Sequence, residues 1–130
     1  ADLAAARDHC DEIVAEVLDR VDGARDAAHL VGLAGTVSTL AGIDLGLDTY
    51  DRDRIHHHVL EADRVRALTA DLFARTTADR RTVPGMEAGR IEVIVGGLVV
   101  LAAVLSATGK DRMLVSEADI LDGLAASLLA

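Results

Sequence analysis

A glycine-containing turn between an apolar run and a polar helix start is the strongest candidate for chemistry. The run His29–Leu33, which predicts a buried strand, is followed by Ala34-Gly35-Thr36 and then by a helical pattern. Glycine lets the backbone approach a ligand closely, and the first N–H groups of a helix lack internal acceptors, so such a turn can hold phosphate. Ser38 and Thr39, like Thr36, offer further hydroxyl donors. The alternative interpretation is a turn whose glycines only allow tight packing.

Three arginines near a Pro-Gly pair form a second candidate for anion binding. Arg80 and Arg81 precede the pair, and Arg90 follows it at the head of a long apolar segment. A positive charge at the start of a helix opposes the helix dipole, so Arg90 is expected to have an anionic partner elsewhere. The alternative is an ion pair with Glu87 or Glu92.

A histidine run beside two aspartates is a weaker candidate for a metal site. His56-His57-His58 lies close to Asp51 and Asp53. Consecutive side chains rarely point at one ion, and helical metal pairs prefer spacings of three or four residues, so we expect no metal here. His9 and Cys10 are adjacent on a predicted helix and point apart, which argues against a catalytic dyad.

The composition indicates one globular domain with a small-residue core. The chain has 130 residues, of which 51% are hydrophobic and 27% charged, so it is not disordered. A net charge of -9 with a single lysine argues against nucleic acid as the main partner. Arginines concentrated between residues 52 and 90 can still receive a small anion, although a solvated helix surface of mixed sign is the alternative.

The sequence also leads to expectations about the cellular compartment and about whether the chain is part of a longer protein. One cysteine excludes a disulfide scaffold, and no signal-type segment follows Ala1, so we expect a cytoplasmic protein. Because the first residue is not Met, we expect a piece of a longer protein or a processed one. The apolar segment 93–107 is shorter than the roughly 20 residues that cross a bilayer, so we expect a buried helix and no membrane partner.

The remaining patterns predict an α/β unit that is rich in helix. Apolar spacing, caps and glycine stops indicate where each element lies. Helices are predicted at 2–22, at 34–41, from 61 onward, at 76–83, at 93–107 and at 116–129, and strands at 29–33 and 113–115, with 44–53 as a loop.

Five segments, in the same order along the chain, resemble the exopolyphosphatase / guanosine pentaphosphate phosphohydrolase (Ppx/GppA) family of the actin-like ATPase superfamily. They are Val31–Ala41, Tyr50–His56, Arg80–Gly85, Gly89–Gly97 and Val115–Gly123. The arginine-rich, lysine-poor composition is similar to that of proteins from high-GC bacteria such as actinobacteria. The resemblance implies the helix-rich back half of a ribonuclease-H-like domain with few parallel strands. Residues 1–130 would be the C-terminal part of the second actin-like domain.

The resemblance also implies where the ligand lies. In the family, two domains enclose a cleft faced by phosphate-binding loops from both. Ala34, Gly35 and Thr36 match the second of these loops, while Arg90 and His56 match residues that face the nucleotide or polyphosphate. Ala34 and His57 stand where many members carry Gly. The first departure is expected to be mild, because backbone N–H groups would hold the ligand.

The activity implied is release of terminal phosphate from polyphosphate or guanosine pentaphosphate with Mg²⁺. The family's first phosphate loop, Asp-x-Gly-Gly-Gly-Ser/Thr, and its catalytic Glu match nothing here, so this chain would contain no catalytic residue or metal ligand. It would need the missing N-terminal domain and be inactive alone. The alternatives are a parent that senses an alarmone nucleotide without turnover and an assembly module whose open sheet edge forms homo-oligomers.

Overall fold

A computed structural model describes residues 2–130, which contain seven α-helices, a 3₁₀ turn and three short strands. The elements are α1 (Leu3–Arg20), β1 (Val31–Leu33), α2 (Gly35–Asp44), α3 (Arg52–Ile55), β2 (Val59–Glu61), α4 (Ala62–Ala74), α5 (Thr77–Arg80), the 3₁₀ turn Ala88–Arg90, α6 (Ile94–Thr108), β3 (Arg112–Ser116) and α7 (Ile120–Leu129). No helix in this part of the chain is both long and apolar enough to cross a membrane.

Local sequence signals account for most of these elements. The predicted helices agree with α1, α2, α4, α5, α6 and α7, and the predicted strands with β1 and β3. A capping box between Thr76 and Asp79 begins α5, and Asp119 caps α7, while Ser116 ends β3 instead of capping the helix. Besides the 3₁₀ turn, two elements were not predicted. The helix α3 is a single turn capped by Asp51, and β2 is three residues long and directly precedes α4.

The strands form one mixed sheet in the order β1-β3-β2, with β1 parallel and β2 antiparallel to β3. Leu60, Met113 and Val115 are buried on the face that α2 covers. Gly32 leaves room there for the Met113 side chain, because a Cβ would lie within 2.8 Å of the Met113 Sδ and Cε atoms. On the other face, Val31 and Leu33 are 50% and 47% exposed. The prediction of a buried strand at 29–33 is therefore wrong, because helices cover only one face of this edge strand.

The core lies between the covered face of the sheet and the helices α2, α4 and α6. Leu40, Leu72, Ile94 and Leu98 are fully buried there. The helix α6 packs against both α1 and α4, whereas α1 contributes no buried residue. This packing fixes α2, so that its first turn lies at the carboxyl ends of the parallel strands β1 and β3.

Asp44 joins the end of α2 to the segment before β2 and to α4. Its carboxylate accepts hydrogen bonds from Arg64 Nε at 2.6 Å and from His58 Nε2 at 2.8 Å. Burial raises the pKa of Asp44, but the hydrogen bonds and charges of Arg64 and His58 outweigh this and hold the pKa below its usual 3.8. A carboxyl group with a lowered folded-state pKa stabilises the fold above its unfolded pKa, and this stability is lost as the pH falls through the folded value.

We therefore expect Asp44→Asn to lower the free energy of unfolding by about 1–3 kcal/mol at neutral pH. The wild-type carboxyl group also becomes protonated in acid. The difference in the free energy of unfolding between the wild type and Asp44→Asn should therefore become smaller below about pH 4. Urea unfolding at about pH 7 and about pH 3 measures this. Asp63→Asn, at an exposed ion pair with Arg66, is the control and should change little. If Asp44→Asn lowers the free energy of unfolding equally at both pH values, this expectation is wrong.

Candidate anion-binding site

The bend between β1 and α2 presents free backbone donors. Ala34 is the N-cap of α2, and the first internal bond of the helix runs from Ser38 N–H to the Ala34 carbonyl at 3.0 Å. Within residues 2–130, the N–H groups of Gly35, Thr36 and Val37 donate to no protein acceptor. Three unpaired donors at the positive end of a ten-residue helix are suited to hold a phosphate group.

The Arg90 guanidinium lies directly over Gly35. A Cβ at Gly35 would lie within 2.7 Å of the Nε, Cζ and Nη2 atoms of Arg90, so the close approach requires glycine. In the part of the chain that the structure describes, Arg90 makes neither an ion pair nor a side-chain hydrogen bond; the alternative pairing with Glu87 or Glu92 is not present. An unpaired cation beside a helix N-terminus concentrates positive potential at the bend.

Arg80 has a protein partner of its own. Its Nε donates to the carbonyl of Leu72 at 2.7 Å, where it satisfies one of the last carbonyls of α4. Arg81 is exposed. The prediction that all three arginines converge on one phosphate is therefore wrong for Arg80, because the end of α4 provides an acceptor close at hand.

The hydroxyl groups near the bend are directed elsewhere. Thr36 faces α6, since a Cβ at Gly97 would lie within 2.7 Å of its Oγ1 and Cγ2 atoms. Ser38 Oγ donates to the Glu117 carboxylate, and Thr39 Oγ1 donates to Glu87 Oε1 at 3.1 Å. The expectation that Ser38 and Thr39 supply free donors to a ligand is therefore wrong, and the backbone N–H groups remain.

Glu117 follows β3 at the same edge of the sheet and makes hydrogen bonds to three residues near the bend. It was not singled out from the sequence. Its N–H donates to His56 Nδ1 at 3.0 Å, which leaves the ring proton of His56 on Nε2. Its carboxylate accepts from the hydroxyls of Ser38 and Tyr50. The hydrogen bond to Glu117, helped by burial, raises the pKa of Tyr50 to about 12. The signal available in the sequence was that the predicted strand 113–115 ends just before Glu117.

The histidine run does not form a metal site. His56 bonds to Glu117 and His58 bonds to Asp44, so the rings serve different partners, and His57 stacks on His56 with ring centroids 3.8 Å apart. Within residues 2–130, no group of three or more His, Cys, Asp and Glu side chains is placed to hold an ion.

Backbone strain marks both positions where the resemblance leads us to expect glycine. Ala34 has φ 74° and ψ 179°, His57 has φ 67°, and no other non-glycine residue among 2–130 has a positive φ. The region that Ala34 occupies is essentially restricted to glycine and costs about 1–3 kcal/mol for other residues. Alanine in place of the family's glycine at position 34 therefore strains the backbone, even though the N–H groups of the bend remain free.

We therefore expect Ala34→Gly to raise the free energy of unfolding by about 1–2 kcal/mol, with a smaller gain for His57→Gly because histidine tolerates a positive φ better. Thermal or urea unfolding measures both changes. Ala5→Gly, at an exposed position inside α1, is the matched control and should lose about 1 kcal/mol. A loss of stability for Ala34→Gly would show that the bend is not strained.

Comparisons with known proteins identify the family. The model of the Ppx/GppA phosphatase family matches residues 1–130. Exopolyphosphatase 2 of Mycobacterium tuberculosis is 35% identical over 102 residues, which cover 75% of this chain and 32% of that protein. A bifunctional 3-dehydroquinate synthase/phosphatase of Fusobacterium nucleatum is 32% identical over 94 residues, which cover 72% of this chain and 14% of that protein.

Solved structures have the same fold over nearly the whole chain. An exopolyphosphatase-like protein matches with a TM-score of 0.88 and 29% identity, covering 97% of this chain and 42% of that one. The Aquifex aeolicus Ppx/GppA family member matches with a TM-score of 0.84 and 23% identity, covering 97% and 40%. These structures have an actin-like ATPase fold, so the predicted fold class is confirmed. The chain spans about a third of the length of the curated exopolyphosphatase that it matches. On these grounds it belongs to the Ppx/GppA phosphatase family.

Proposed function

We propose that this chain supplies the second phosphate-binding loop of a phosphohydrolase that releases terminal phosphate from inorganic polyphosphate or guanosine pentaphosphate. It would form the C-terminal part of the second actin-like domain of a cytoplasmic protein. One observation carries the proposal: the unpaired N–H groups of Gly35, Thr36 and Val37 lie beside the unpaired guanidinium of Arg90. Membership of the phosphatase family and the similarity to Exopolyphosphatase 2 support it.

The chemistry of phosphoryl transfer explains why such a site is useful. Negative charge spreads over the phosphate oxygens during the reaction, and donors that are already in place stabilise it without reorganising. Here the N–H groups of the bend and Arg90 would hold those oxygens, and His56, with its proton on Nε2, would add a neutral donor. Mg²⁺ would supply further charge neutralisation, and its ligands and the Glu that activates water would lie outside this chain.

The test compares the 130-residue chain with the full-length natural protein. We expect the full-length protein to release phosphate from tripolyphosphate or guanosine pentaphosphate when Mg²⁺ is present. The 130-residue chain should bind tripolyphosphate but release no phosphate, because the catalytic Glu and the first phosphate loop that the family resemblance implies match nothing in its sequence. Mg²⁺-dependent release by the pure chain, or failure of the full-length protein to release phosphate, would contradict the proposal.

A second candidate, assembly into homo-oligomers, rests on the uncovered face of the sheet. Val31, Leu114 and Val59 lie in one row across the three strands and are exposed, and within residues 2–130 β1 is paired along one edge only. Open edges of this kind pair readily with another chain. Light scattering should then show dimers or larger species whose fraction rises with concentration. A monomer at every concentration would exclude this role for the chain.

A further inference from the structure

Glu117 lies next to the anion-binding bend. Leu33 and Ser116 are Cα partners in the parallel pairing of β1 with β3. The residues that follow them, Ala34 and Glu117, therefore leave the sheet side by side. An acidic residue is unexpected at this place, because a carboxylate repels the phosphate group that the bend is proposed to hold. Its presence here indicates a role that does not depend on attraction to the ligand.

The carboxylate of Glu117 connects the first turn of α2 to the loop before α3. One of its oxygens accepts a hydrogen bond from the Ser38 hydroxyl, and the other accepts one from the Tyr50 hydroxyl. Ser38 is buried, and its N–H makes the first internal hydrogen bond of α2, to the Ala34 carbonyl. Hydrogen bonds to a charged acceptor are about twice as strong as those between neutral groups. The two bonds therefore hold the loop against the turn of α2 that carries the free N–H groups.

The main chain of Glu117 holds α3 at the same place. Its N–H donates to His56 Nδ1 at 3.0 Å, and its carbonyl accepts from Arg52 Nη2 at 3.3 Å. The His57 N–H donates to the Val115 carbonyl at 2.8 Å, so the end of α3 is also bonded to β3. Every hydrogen-bonding group of Glu117 therefore has a partner, and the partners belong to α2, to the loop before α3 and to both ends of α3.

We propose that Glu117 is a positioning residue of the anion site, which holds the bend and the His56 ring in place for a phosphate group. This inference rests on the proposed function and adds a residue to it. The role requires a side chain that reaches the hydroxyls of Ser38 and Tyr50, but it does not require a negative charge. The charge and the hydrogen bonds of Glu117 therefore affect phosphate affinity in opposite directions, and substitutions can separate them.

Calorimetric titration of the 130-residue chain with tripolyphosphate tests this role with two variants. Glu117→Gln removes the charge, but its amide can accept from one hydroxyl and donate to the other. We expect it to bind tripolyphosphate as tightly as the wild type or up to about threefold more tightly, because repulsion is removed. Glu117→Ala removes the hydrogen bonds together with the charge. We expect it to bind about tenfold more weakly, because the ligand must then order the bend and the His56 ring itself.

A pure charge effect predicts a different order of affinities. It would make Glu117→Ala bind at least as tightly as Glu117→Gln, and that result would overturn the positioning role, as would equal affinities of the wild type and both variants. Glu92→Ala is the matched control, because it removes a carboxylate from an exposed residue two positions after Arg90. It should leave the affinity for tripolyphosphate unchanged or raise it slightly.

Tyr50→Phe keeps the test decisive if Glu117→Ala does not fold. It removes one of the two hydroxyl donors at a residue that is 57% exposed. Added to Glu117→Gln, where no charge is left to be uncovered, it should weaken tripolyphosphate binding about threefold, the loss expected for one neutral hydrogen bond. An unchanged affinity would contradict the inference. Added to a folded Glu117→Ala chain it should have no effect, and an equal loss there would show that Tyr50 does not act through Glu117.

Arg90→Ala separates a failure of this inference from a failure of the proposed function. If tripolyphosphate binds through Arg90 but Glu117→Ala binds it as tightly as Glu117→Gln does, the positioning role is wrong and the proposed function stands. If tripolyphosphate does not bind, or Arg90→Ala leaves its affinity unchanged, the proposed function is wrong and the inference falls with it.

Discussion

Gly85→Ala is expected to lower the free energy of unfolding by about 2–5 kcal/mol, the largest stability effect of any single substitution discussed for this chain. Gly85 has φ 86°, which alone disfavours alanine. In addition, a Cβ there would lie within 2.5 Å of the carbonyl group of Gly42 and the nitrogen of Ile43. These are backbone atoms inside α2, so no side-chain rotation relieves the clash, and α2 itself must shift.

Gly23→Ala provides the matched control for this substitution. Gly23 also has a positive φ, 74°, but nothing lies within 4 Å of the position that its Cβ would take. Gly23→Ala should therefore lower the free energy of unfolding by only about 1–2 kcal/mol, the cost of placing alanine at a positive φ. Urea unfolding of both variants measures the difference, and equal losses would show that the close packing of Gly85 on α2 contributes nothing. Because α2 carries the bend, Gly85→Ala should also weaken tripolyphosphate binding.

Arg90→Ala is expected to have the largest effect on function. Loss of charge-assisted hydrogen bonds to phosphate should weaken tripolyphosphate binding by about 10- to 100-fold. Under the proposed function, phosphate release by the whole protein should fall by about 100-fold or more, because Arg90 would also stabilise the charge that develops during transfer. Arg90→Lys should recover only part of this loss, because an ammonium group keeps the charge but not the planar fork that lies over Gly35.

Arg90→Ala should weaken phosphate binding without lowering the free energy of unfolding. The guanidinium has no protein partner among residues 2–130 and opposes the dipole of α2, so its removal should leave the free energy of unfolding unchanged or slightly higher. Arg81→Ala removes the same charge from an exposed position and is the control for both measurements. If Arg90→Ala and Arg81→Ala change the affinity for tripolyphosphate by the same amount, Arg90 does not contact the ligand.

The sequence was sufficient for the features that depend on neighbouring residues. Apolar spacing predicted α1, α4 and α6, and the glycine turn predicted the start of α2, because helix periodicity and caps are local properties. The burial of the first strand was predicted wrongly. Val31 and Leu33 are apolar, but periodicity does not tell which face of an edge strand the rest of the chain covers.

Contacts between distant parts of the chain could not be derived from spacing alone. Arg90 lies over Gly35 although 55 positions separate them, and its assignment to the cleft came only from the family resemblance. Glu117 and Ser38 are 79 positions apart, and their contact follows from the parallel pairing of β1 and β3, which is a tertiary property. The strain at Ala34 also required backbone angles, since nothing in its residue type predicts a positive φ.

Titration of the ¹⁵N-labelled 130-residue chain with tripolyphosphate, followed residue by residue through its backbone amide signals, tests the central claim most directly. The largest saturable shifts should occur at Gly35, Thr36 and Val37, whose N–H groups are free to meet the ligand. Those shifts should nearly vanish in the Arg90→Ala variant. Unmoved signals at the bend while the ligand binds elsewhere, or identical shifts with and without the Arg90 side chain, would contradict a phosphate site built from these groups.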